Sequence, residues 1–470
     1  MKKFTLGMIG LGTMGRNLLL NMADHGYAVT GYDKDPKMLK TLQEVGEKHD
    51  LKGFSSLEDF VQSLELPRRI VLLVPAGAIV DSVIKELEPL LDKGDIIIDS
   101  GNSHFTDTSR RAVALAELGL HFFGMGISGG EEGARFGPSM MPGGDKTAYA
   151  AMKDIFEAIS AKVNGEPCVT YIGPGASGHF VKMVHNGIEY AMMQLLAETY
   201  DILKNGLGYN NEQIQQVFNK WNNGRLKSFL MEVTADIFAF VDEKTGNLMV
   251  DMIKDEAKSK GTGKWTSQVS MDLQLAIPTI NEAVSSRDLS KYKKLRVELA
   301  EAFPHETSIP EKSSEVEAQL EQALYFAMIT SYAQGLHLLW QASITYEYDL
   351  KMDEIAKIWR GGCIIRAELL EDIYQAYKTN PKLEHLYADT NIQNKLKEAI
   401  VGLRKTVGLA VSNGLPITAF ASTVTYFDSL RTKRLPSNLT QAQRDFFGAH
   451  TFERTDEEGI FHAIWTQTTL

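Results

Sequence analysis

The sequence predicts an amino-terminal α/β domain on a doubly wound, mostly parallel sheet, followed by a larger all-α domain and a short tail. Over residues 1–177, short apolar segments alternate with helical patterns, as a parallel sheet with crossover helices requires. From residue 178 to about residue 434, apolar side chains recur at helical spacing almost throughout. The remaining residues, 435–470, form an aromatic-rich tail.

The composition is that of a globular protein with two or three domains. The 470-residue chain is 44% hydrophobic and 23% charged, and its net charge of −11 argues against nucleic acid or an anionic membrane as a partner. The two cysteines, Cys168 and Cys363, lack metal-ligand spacing, so we expect no metal site and a reducing, cytoplasmic compartment. Gly7 and Gly10 interrupt the apolar start of the chain, which argues against a signal peptide.

A glycine-rich turn joins the first predicted strand, 4–9, to the first predicted helix. The turn consists of Gly10, Leu11, Gly12, Thr13, Met14 and Gly15. Its glycines permit a tight turn and close approach to a pyrophosphate, and the start of the helix offers free N–H groups. A second strand, 28–32, ends in Asp33, at about the 20-residue distance where a carboxylate meets the adenosine ribose. The pattern predicts a dinucleotide site.

The residues after the second strand leave the choice between NAD and NADP open. Asp33 can accept hydrogen bonds from both ribose hydroxyls and would repel a 2′-phosphate, which favours NAD. Lys34 follows directly and could attract that phosphate, so NADP stays an alternative.

Two turns of small residues follow later strands of the predicted sheet. Asn102 comes after the strand 96–99, while Ser128, Gly129 and Gly130 follow an apolar run at 121–125. The carboxyl ends of parallel strands form the edge where doubly wound sheets bind ligands. Asparagine and serine can donate and accept there, and glycine exposes its backbone N–H to an anion. We expect both turns to contact substrate.

The helix predicted to open the second domain has a polar face on an otherwise apolar surface. Lys182, His185, Asn186 and Glu189 fall within an arc of about 100°. A helix that is apolar over most of its circumference is usually buried, so these side chains would line a cleft. The glycine-rich break at 173–178 directs the start of the helix toward the nucleotide site. A solvated polar face is the alternative.

Three further segments of the helical region and tail stand out. One set of positions recurs with the same spacing, which indicates an internal repeat: Val217, Trp221 and Gly224 as Ile355, Trp359 and Gly362. Segment 260–266 fails the Walker pattern, although Lys260 and the local backbone could still hold a phosphate. Arg287, taken alone, is typical of a surface arginine. The tail's aromatic rings must pack against a partner subunit or their own domain.

Together these segments closely resemble the 6-phosphogluconate dehydrogenases, decarboxylating enzymes of the oxidative pentose phosphate pathway, over essentially the whole chain. The resemblance rests on the glycine loop and on segments 101–102, 128–130, 182–189, 260–266 and 444–450. It implies a Rossmann domain (1–177), an all-helical substrate and dimerisation domain (178–434), and a tail (435–470) that reaches the partner subunit of a homodimer. The implied reaction converts 6-phospho-D-gluconate to D-ribulose 5-phosphate and CO₂ while reducing NAD or NADP.

The resemblance also implies residue roles, with Lys182 as the general base and Glu189 as the general acid. The implied substrate-binding residues are Asn102, Ser128, Gly129, Gly130, His185, Asn186, Tyr190, Lys260, Arg287, Arg444 and His450, the last two serving the neighbouring subunit's site. The implied cofactor-binding residues are Gly10, Leu11, Gly12, Thr13, Met14, Gly15, Asp33, Lys34, Asp35, Val74, Pro75, Ala76 and Asn102.

Two departures from the NADP-linked members of the family concern the cofactor. Those members usually have Asn-Arg-Thr where this chain has Asp33, Lys34 and Asp35, and a lysine where it has Pro75. Both changes remove support for a 2′-phosphate, so we expect a preference for NAD, or use of both cofactors.

Two other functions are weighed against this one. A non-decarboxylating 3-hydroxyacid dehydrogenase would share the glycine loop, the Ser-Gly-Gly turn and the lysine, but such relatives lack the second helical half and the tail. A non-catalytic nucleotide-binding protein would be expected to have lost Lys182 or Glu189, and both are present.

Overall fold

The structure, a computed structural model, describes residues 3–49, 51–311 and 313–465. The chain forms two compact units, residues 1–421 and residues 422–470. The first unit contains both a sheet and a large helical region. The boundaries expected at residues 177 and 434 stay predictions.

The sheet has seven strands. They are β1 (Leu6–Ile9), β2 (Val29–Tyr32), β3 (Leu51–Phe54), β4 (Arg69–Leu72), β5 (Ile96–Asp99), β6 (His121–Ser128) and β7 (Ser139–Gly144). Their spatial order is β3-β2-β1-β4-β5-β6-β7, and only β7 runs antiparallel to its neighbour. A small hairpin follows, formed by β8 (Lys162–Val163) and β9 (Glu166–Pro167). The predicted doubly wound, mostly parallel sheet is confirmed.

Helices cover both faces of this sheet. They are α1 (Thr13–Asp24), α2 (Pro36–Val45), α3 (Leu57–Gln62), α4 (Ala78–Leu87), α5 (Phe105–Glu117), α6 (Gly130–Phe136) and α7 (Lys146–Ile159). The central strands are buried on both faces, so their side chains enter two separate cores alternately. In β5, Ile96 and Ile98 belong to one core and Ile97 to the other.

The edge strand β3 is absent from the sequence-based predictions. It pairs in parallel with β2, but Lys52 and Gly53 are exposed and its ends are only half-buried. An edge strand of this kind lacks the continuous apolar run that identifies the central strands. The first predicted strand also begins later than expected, at Leu6, because Phe4 forms only an isolated bridge with Leu64.

The helical region follows the sheet. Its helices are α8 (Ser177–Asp201), α9 (Asn211–Asn222), α10 (Phe229–Ile237), α11 (Met249–Met252), α12 (Thr262–Asp272), α13 (Pro278–Ser290), α14 (Lys293–Ala302), α15 (Ser313–Thr345), α16 (Met352–Ile358), α17 (Leu369–Thr379), α18 (Thr390–Ser412) and α19 (Thr418–Leu430). In both halves of the expected repeat, a long buried helix precedes a shorter one: α9 contains Trp221 in its last turn, and α16 ends just before Trp359. No helix in the described parts of the chain is long and apolar enough to cross a membrane. The expected cytoplasmic location stays a prediction.

Helix α8 lies directly against the sheet because glycines face each other at the contact. A Cβ atom added to Gly178 would lie 2.4 Å from the carbonyl oxygen of Met141 in β7 and 2.5 Å from that of Gly124 in β6. Both neighbours are backbone atoms, which cannot rotate away as a side chain can. The same helix also packs against α12, α13 and α15.

The second unit contains α20 (Ser437–Gly448) and the chain after it. The buried carboxylate of Asp445 holds these parts together. It accepts hydrogen bonds of 2.8–3.0 Å from the backbone N–H groups of Thr451 and Ala463, from His462 Nδ1 and from Trp465 Nε1. Burial would raise the pKa of Asp445, but these hydrogen bonds lower it to about 2.

We predict that Gly178→Ala destabilises the protein, because the added methyl group meets backbone atoms of both strands. Overpacking of this kind costs about 1–3 kcal/mol of unfolding free energy, so Tm should fall by roughly 2 °C or more at a fixed scan rate. Gly408→Ala is the matched control, since Gly408 lies exposed in α18 with no atom within 4 Å of an added Cβ. That variant should unfold at or above the wild-type Tm. Equal Tm values for the two variants would contradict this account of the contact.

Candidate active site

A pocket of about 530 Å³ opens at the carboxyl ends of β1, β2 and β4. Six of the predicted cofactor residues line it: Gly10, Gly12, Asp33, Lys34, Val74 and Pro75. The other seven are not among its described lining residues: Leu11, Thr13, Met14, Gly15, Asp35, Ala76 and Asn102. The pocket lies where a doubly wound sheet binds nucleotides.

The three glycines of the loop serve different physical needs. Gly10 has φ +95°, and a Cβ there would lie 2.4 Å from the carbonyl oxygen of Leu73. A Cβ on Gly15 would lie 1.9 Å from the carbonyl oxygen of Gly10, whereas one on Gly12 would meet no atom within 4 Å. Gly10 and Gly15 therefore permit the loop to pack, and Gly12 keeps the pocket wall open. Helix α1 begins at Thr13 without a side-chain cap, so its N–H groups are available to phosphates.

Asp33 connects the turns that follow β1 and β2. Its Oδ2 accepts a hydrogen bond of 2.8 Å from the backbone N–H of Leu11, and its Oδ1 accepts one of 2.9 Å from that of Asp35. Asp35 in turn caps α2 by accepting a hydrogen bond from the N–H of Lys37. The carboxylate of Asp33 is thereby held at the pocket wall, where a ribose would meet it. These features fit a nicotinamide dinucleotide.

The polar face of α8 is buried. Lys182 is 7% exposed, His185 is fully buried and Asn186 is 9% exposed. Lys182 Nζ donates a 2.7 Å hydrogen bond to Asn186 Oδ1 and lies 3.3 Å from His185 Nδ1. Glu189, at the outer end of this face, has an Oε2 atom 3.8 Å from His185 Nδ1. The alternative of a solvated polar face is therefore wrong.

Glycines opposite α8 make room for this burial. A Cβ on Gly126 of β6 would lie 2.2 Å from the Cβ of Lys182, so only glycine lets the lysine stem lie on the strand. Further along the helix, Gly263 of α12 faces the ring of Tyr190, where an added Cβ would lie 2.5 Å from a ring carbon. The close contacts let the stem of Lys182 and the ring of Tyr190 pack directly against neighbouring backbone.

Burial shifts the proton affinities of the ionisable groups on this face. It lowers the pKa of Lys182, an effect that the charge of Glu189 partly offsets. Burial raises the pKa of Glu189, which Lys182 and Arg287 partly offset. Burial, together with the nearby Lys182, also moves the pKa of His185 well below its usual value. Burial thus shifts the pKa values of Lys182 and Glu189 in opposite directions, each toward the neutral form of its group.

Two residues from other parts of the chain contact the far edge of His185. Ser128 Oγ lies 3.1 Å from His185 Nε2, and Cys363 Sγ lies 2.8 Å from the same nitrogen. Burial raises the pKa of Cys363 to about 12, so its protonated thiol can donate to the imidazole. No pattern in the sequence predicted the contact between Cys363 and His185. Gly129 adjoins this cluster, and its backbone, with φ +113°, lies against the carbonyl of Gly362.

Helices α12 and α13 complete the surroundings of α8. Asn186 Nδ2 donates a 3.1 Å hydrogen bond to Thr262 Oγ1, and sequence analysis assigned Thr262 no role. The guanidinium of Arg287 is half-buried and lies 3.5 Å above the ring of Tyr190, so this arginine packs against α8. Of the other expected substrate residues, Asn102 and Lys260 are exposed, and Gly130 is half-buried at the start of α6.

The last two expected substrate residues belong to the second unit. Arg444 and His450 are both exposed, and Arg444 Nη1 donates a 3.1 Å hydrogen bond to Gln441. In the same segment Phe446 and Phe447 are 58% and 72% exposed. Neither ring is buried within the single chain, and packing of these rings against a partner subunit stays a prediction.

The expected absence of a metal site stays a prediction. Across residues 3–49, 51–311 and 313–465, no group of three or more histidine, cysteine, aspartate or glutamate side chains could hold a metal ion.

Both parts of the chain match family models. Residues 5–173 match the NAD binding domain of 6-phosphogluconate dehydrogenase, and residues 178–465 match the C-terminal domain of 6-phosphogluconate dehydrogenase.

The similarity to individual proteins extends over the full length. The NADP(+)-dependent, decarboxylating 6-phosphogluconate dehydrogenase of Bacillus subtilis (strain 168) is 49% identical over 467 residues, covering 99% of this chain and 100% of that one. The decarboxylating 6-phosphogluconate dehydrogenase of Escherichia coli (strain K12) is 47% identical over 468 residues, with 99% and 100% covered.

A solved structure agrees with these comparisons. Plasmodium falciparum 6-phosphogluconate dehydrogenase, studied in its apo form, with NADP+ and with 6-phosphogluconate, superposes with a TM-score of 0.95 at 44% identity. The match covers 98% of this chain and 100% of that one. The chain therefore belongs to the 6-phosphogluconate dehydrogenase family.

Proposed function

We propose that this protein oxidises and decarboxylates 6-phospho-D-gluconate to D-ribulose 5-phosphate and CO₂, with reduction of a nicotinamide dinucleotide. The observation that carries the proposal is the pairing of Lys182 and Glu189 on one buried helix face, with pKa values shifted in opposite directions. Such opposed shifts are typical of a base and an acid that act in one site. The family match over residues 178–465 favours this reaction over that of a shorter 3-hydroxyacid dehydrogenase.

The neighbours of Lys182 prepare it to act as the base. Asn186 Nδ2 donates to Thr262, which turns Asn186 Oδ1 toward Lys182 Nζ. That oxygen accepts one N–H of the neutral amine and so orients its lone pair, which is the group that accepts a proton. A neutral Lys182 then accepts the proton of the C3 hydroxyl, while a bound nicotinamide ring supplies the hydride acceptor.

The same two side chains serve the decarboxylation. Once protonated, Lys182 donates to the new 3-keto oxygen and so stabilises the negative charge that develops as the C1–C2 bond of the β-keto acid breaks and CO₂ leaves. Glu189, whose raised pKa favours its protonated form, then donates a proton to C1 of the five-carbon enediol, which was C2 of the substrate. His185 stays neutral beside Lys182 and adds no competing positive charge. Ser128, Gly129, Gly130, Asn186 and Tyr190 are the proposed contacts to the sugar acid.

We also propose that the protein is a homodimer whose tails complete the neighbouring sites. Arg444 and His450 are exposed cationic or hydrogen-bonding side chains next to the exposed rings of Phe446 and Phe447. Exposed rings of this size are typical of an interface. Lys260 and Arg287 of one subunit, with Arg444 and His450 of the other, would bind the phosphate of the substrate.

For the cofactor we propose a preference for NAD. The carboxylate of Asp33 lines the pocket, Pro75 provides no cation, and Lys34 is the single cation among the described lining residues. A 2′-phosphate carries a charge of about −2 and would be repelled by Asp33. The proposal departs from the Bacillus subtilis relative, whose name specifies NADP+.

We expect Lys182→Met to lower turnover of 6-phosphogluconate by at least about 10²-fold, because methionine keeps the stem but cannot accept a proton. CO₂ release and cofactor reduction should fall together. Nucleotide affinity, measured by calorimetry, should stay close to that of the wild type. Lys397→Met, an exposed change in α18, serves as the control and should leave turnover intact. Retained activity in Lys182→Met would overturn the assignment of the base.

Mixing two impaired homodimers tests whether the tail completes the neighbouring site. If Arg444 serves the partner's site, a hybrid of Lys182→Met and Arg444→Ala chains contains one site with both residues intact. After subunit exchange, activity should rise above the sum of the parents, toward roughly a quarter of the wild-type value. If Arg444 acted within its own chain, every site in the hybrid would lack one residue and no activity would return.

The cofactor preference is measured as the ratio of kcat/KM for NAD+ to that for NADP+. We expect this ratio to exceed about 10, since a charge repulsion of about 1.4 kcal/mol near the ribose corresponds to a tenfold ratio. A ratio well below 1 would refute the proposed preference.

A further inference from the structure

The adenosine end of the nucleotide pocket contains an ion pair that the proposed reaction does not use. Lys34 Nζ lies 2.8 Å from Glu86 Oε1. Ser82, one turn before Glu86 on α4, donates a 3.2 Å hydrogen bond to the same oxygen. All three side chains line the pocket, together with Asp33 and Pro75.

We propose that Glu86 is a specificity-determining residue, which excludes a 2′-phosphate by holding Lys34 in this ion pair. The inference rests on the proposed binding of a dinucleotide in this pocket. Glu86 would act at the ribose end of the ligand, and no sequence pattern gave this α4 residue a role.

The position of Lys34 makes the pairing consequential. Lys34 directly follows Asp33, whose carboxylate is held at the pocket wall by two backbone N–H groups. A free ammonium group at this place would be the natural partner of a phosphate on the ribose 2′ oxygen. With Glu86 opposite, the ammonium group is already neutralised by a fixed carboxylate.

The charges that line the pocket also disfavour a 2′-phosphate. Among its described lining residues, the carboxylates of Asp33 and Glu86 oppose the single ammonium of Lys34. A 2′-phosphate would have to displace Glu86 from Lys34 and then remain beside two carboxylates. The 2′-hydroxyl of NAD need not displace Glu86 and is not repelled by the carboxylates, since it can donate a hydrogen bond to a carboxylate oxygen.

Deprotonation of Lys34 cannot explain discrimination against a 2′-phosphate. The hydrogen bond that Lys34 donates to Glu86 raises the pKa of Lys34, so the amine stays protonated while it is paired. The pair is also well exposed, with 64% of the Lys34 side chain and 37% of the Glu86 side chain accessible. Such pairs contribute little to folding stability, so the effect of removing Glu86 should be seen in ligand choice.

The test compares Glu86→Gln with Glu88→Gln, which removes the same charge from an exposed position that does not line the pocket. Adenosine 2′,5′-bisphosphate and adenosine 5′-monophosphate are the probes, because they differ only in the 2′-phosphate. Their dissociation constants are measured by isothermal titration calorimetry. Glu86→Gln should tighten binding of the bisphosphate relative to the monophosphate by about three- to tenfold. Glu88→Gln should leave the ratio at the wild-type value.

A double variant identifies the group responsible for the gain. If Glu86 acts by occupying Lys34, Lys34→Gln combined with Glu86→Gln should lose most of the gain. Raising the salt concentration should also reduce the gain, since both charges are exposed to solvent. An unchanged ratio in Glu86→Gln, or a gain that survives in the double variant, would overturn the proposal.

The outcome is separable from the cofactor preference itself. If the wild-type enzyme prefers NADP+ and Glu86→Gln still improves binding of the bisphosphate, the role of Glu86 stands and the proposed NAD preference fails. If the wild type prefers NAD+ and Glu86→Gln changes nothing, the preference stands and the role of Glu86 fails.

Discussion

The close approach of α8 to β6 and β7 is the constraint on which the buried polar face of α8 depends. The contact requires glycine at three positions, Gly178 in α8 and Gly124 and Gly126 in β6. A side chain at any of them would block the approach of the helix backbone or of the Lys182 stem to the sheet. The resulting burial removes water from Lys182 and lowers its pKa. A buried amine is costly unless it is hydrogen-bonded, and Asn186 satisfies this requirement. Packing around Gly178 at the start of α8 therefore influences the pKa of Lys182, one turn further along the helix.

Two combinations of a lysine with a glutamate in this protein show how burial changes the effect of their environment on the pKa values. Lys182 and Glu189 share a desolvated face, where the dominant effect on each pKa is burial and both groups move toward their neutral forms. Lys34 and Glu86 lie at an open pocket wall, where the hydrogen bond dominates and the lysine stays charged. The first arrangement suits proton transfer, and the second suits selection among ligands by charge.

Much of this organisation could be predicted from local patterns, because they concern residues close together in sequence. The glycine loop, the acidic residue after the second strand and the polar face of α8 all follow from spacing within single short stretches of the sequence. The edge strand β3 could not be predicted, because its half-exposed residues carry no continuous apolar run. Arg287 was unremarkable in sequence, since only the folded chain places its guanidinium over Tyr190.

By itself, the sequence determined the fold class, the nucleotide site and the residue types available for acid and base catalysis. The tertiary structure alone decided that the polar face of α8 is buried, that Cys363 and Ser128 meet His185, and that Glu86 pairs with Lys34. The physical reason is that helical and strand periodicity are local properties of the backbone. Desolvation and ion pairing depend on which distant segments pack together, and here those segments are joined by contacts that no short stretch of sequence encodes.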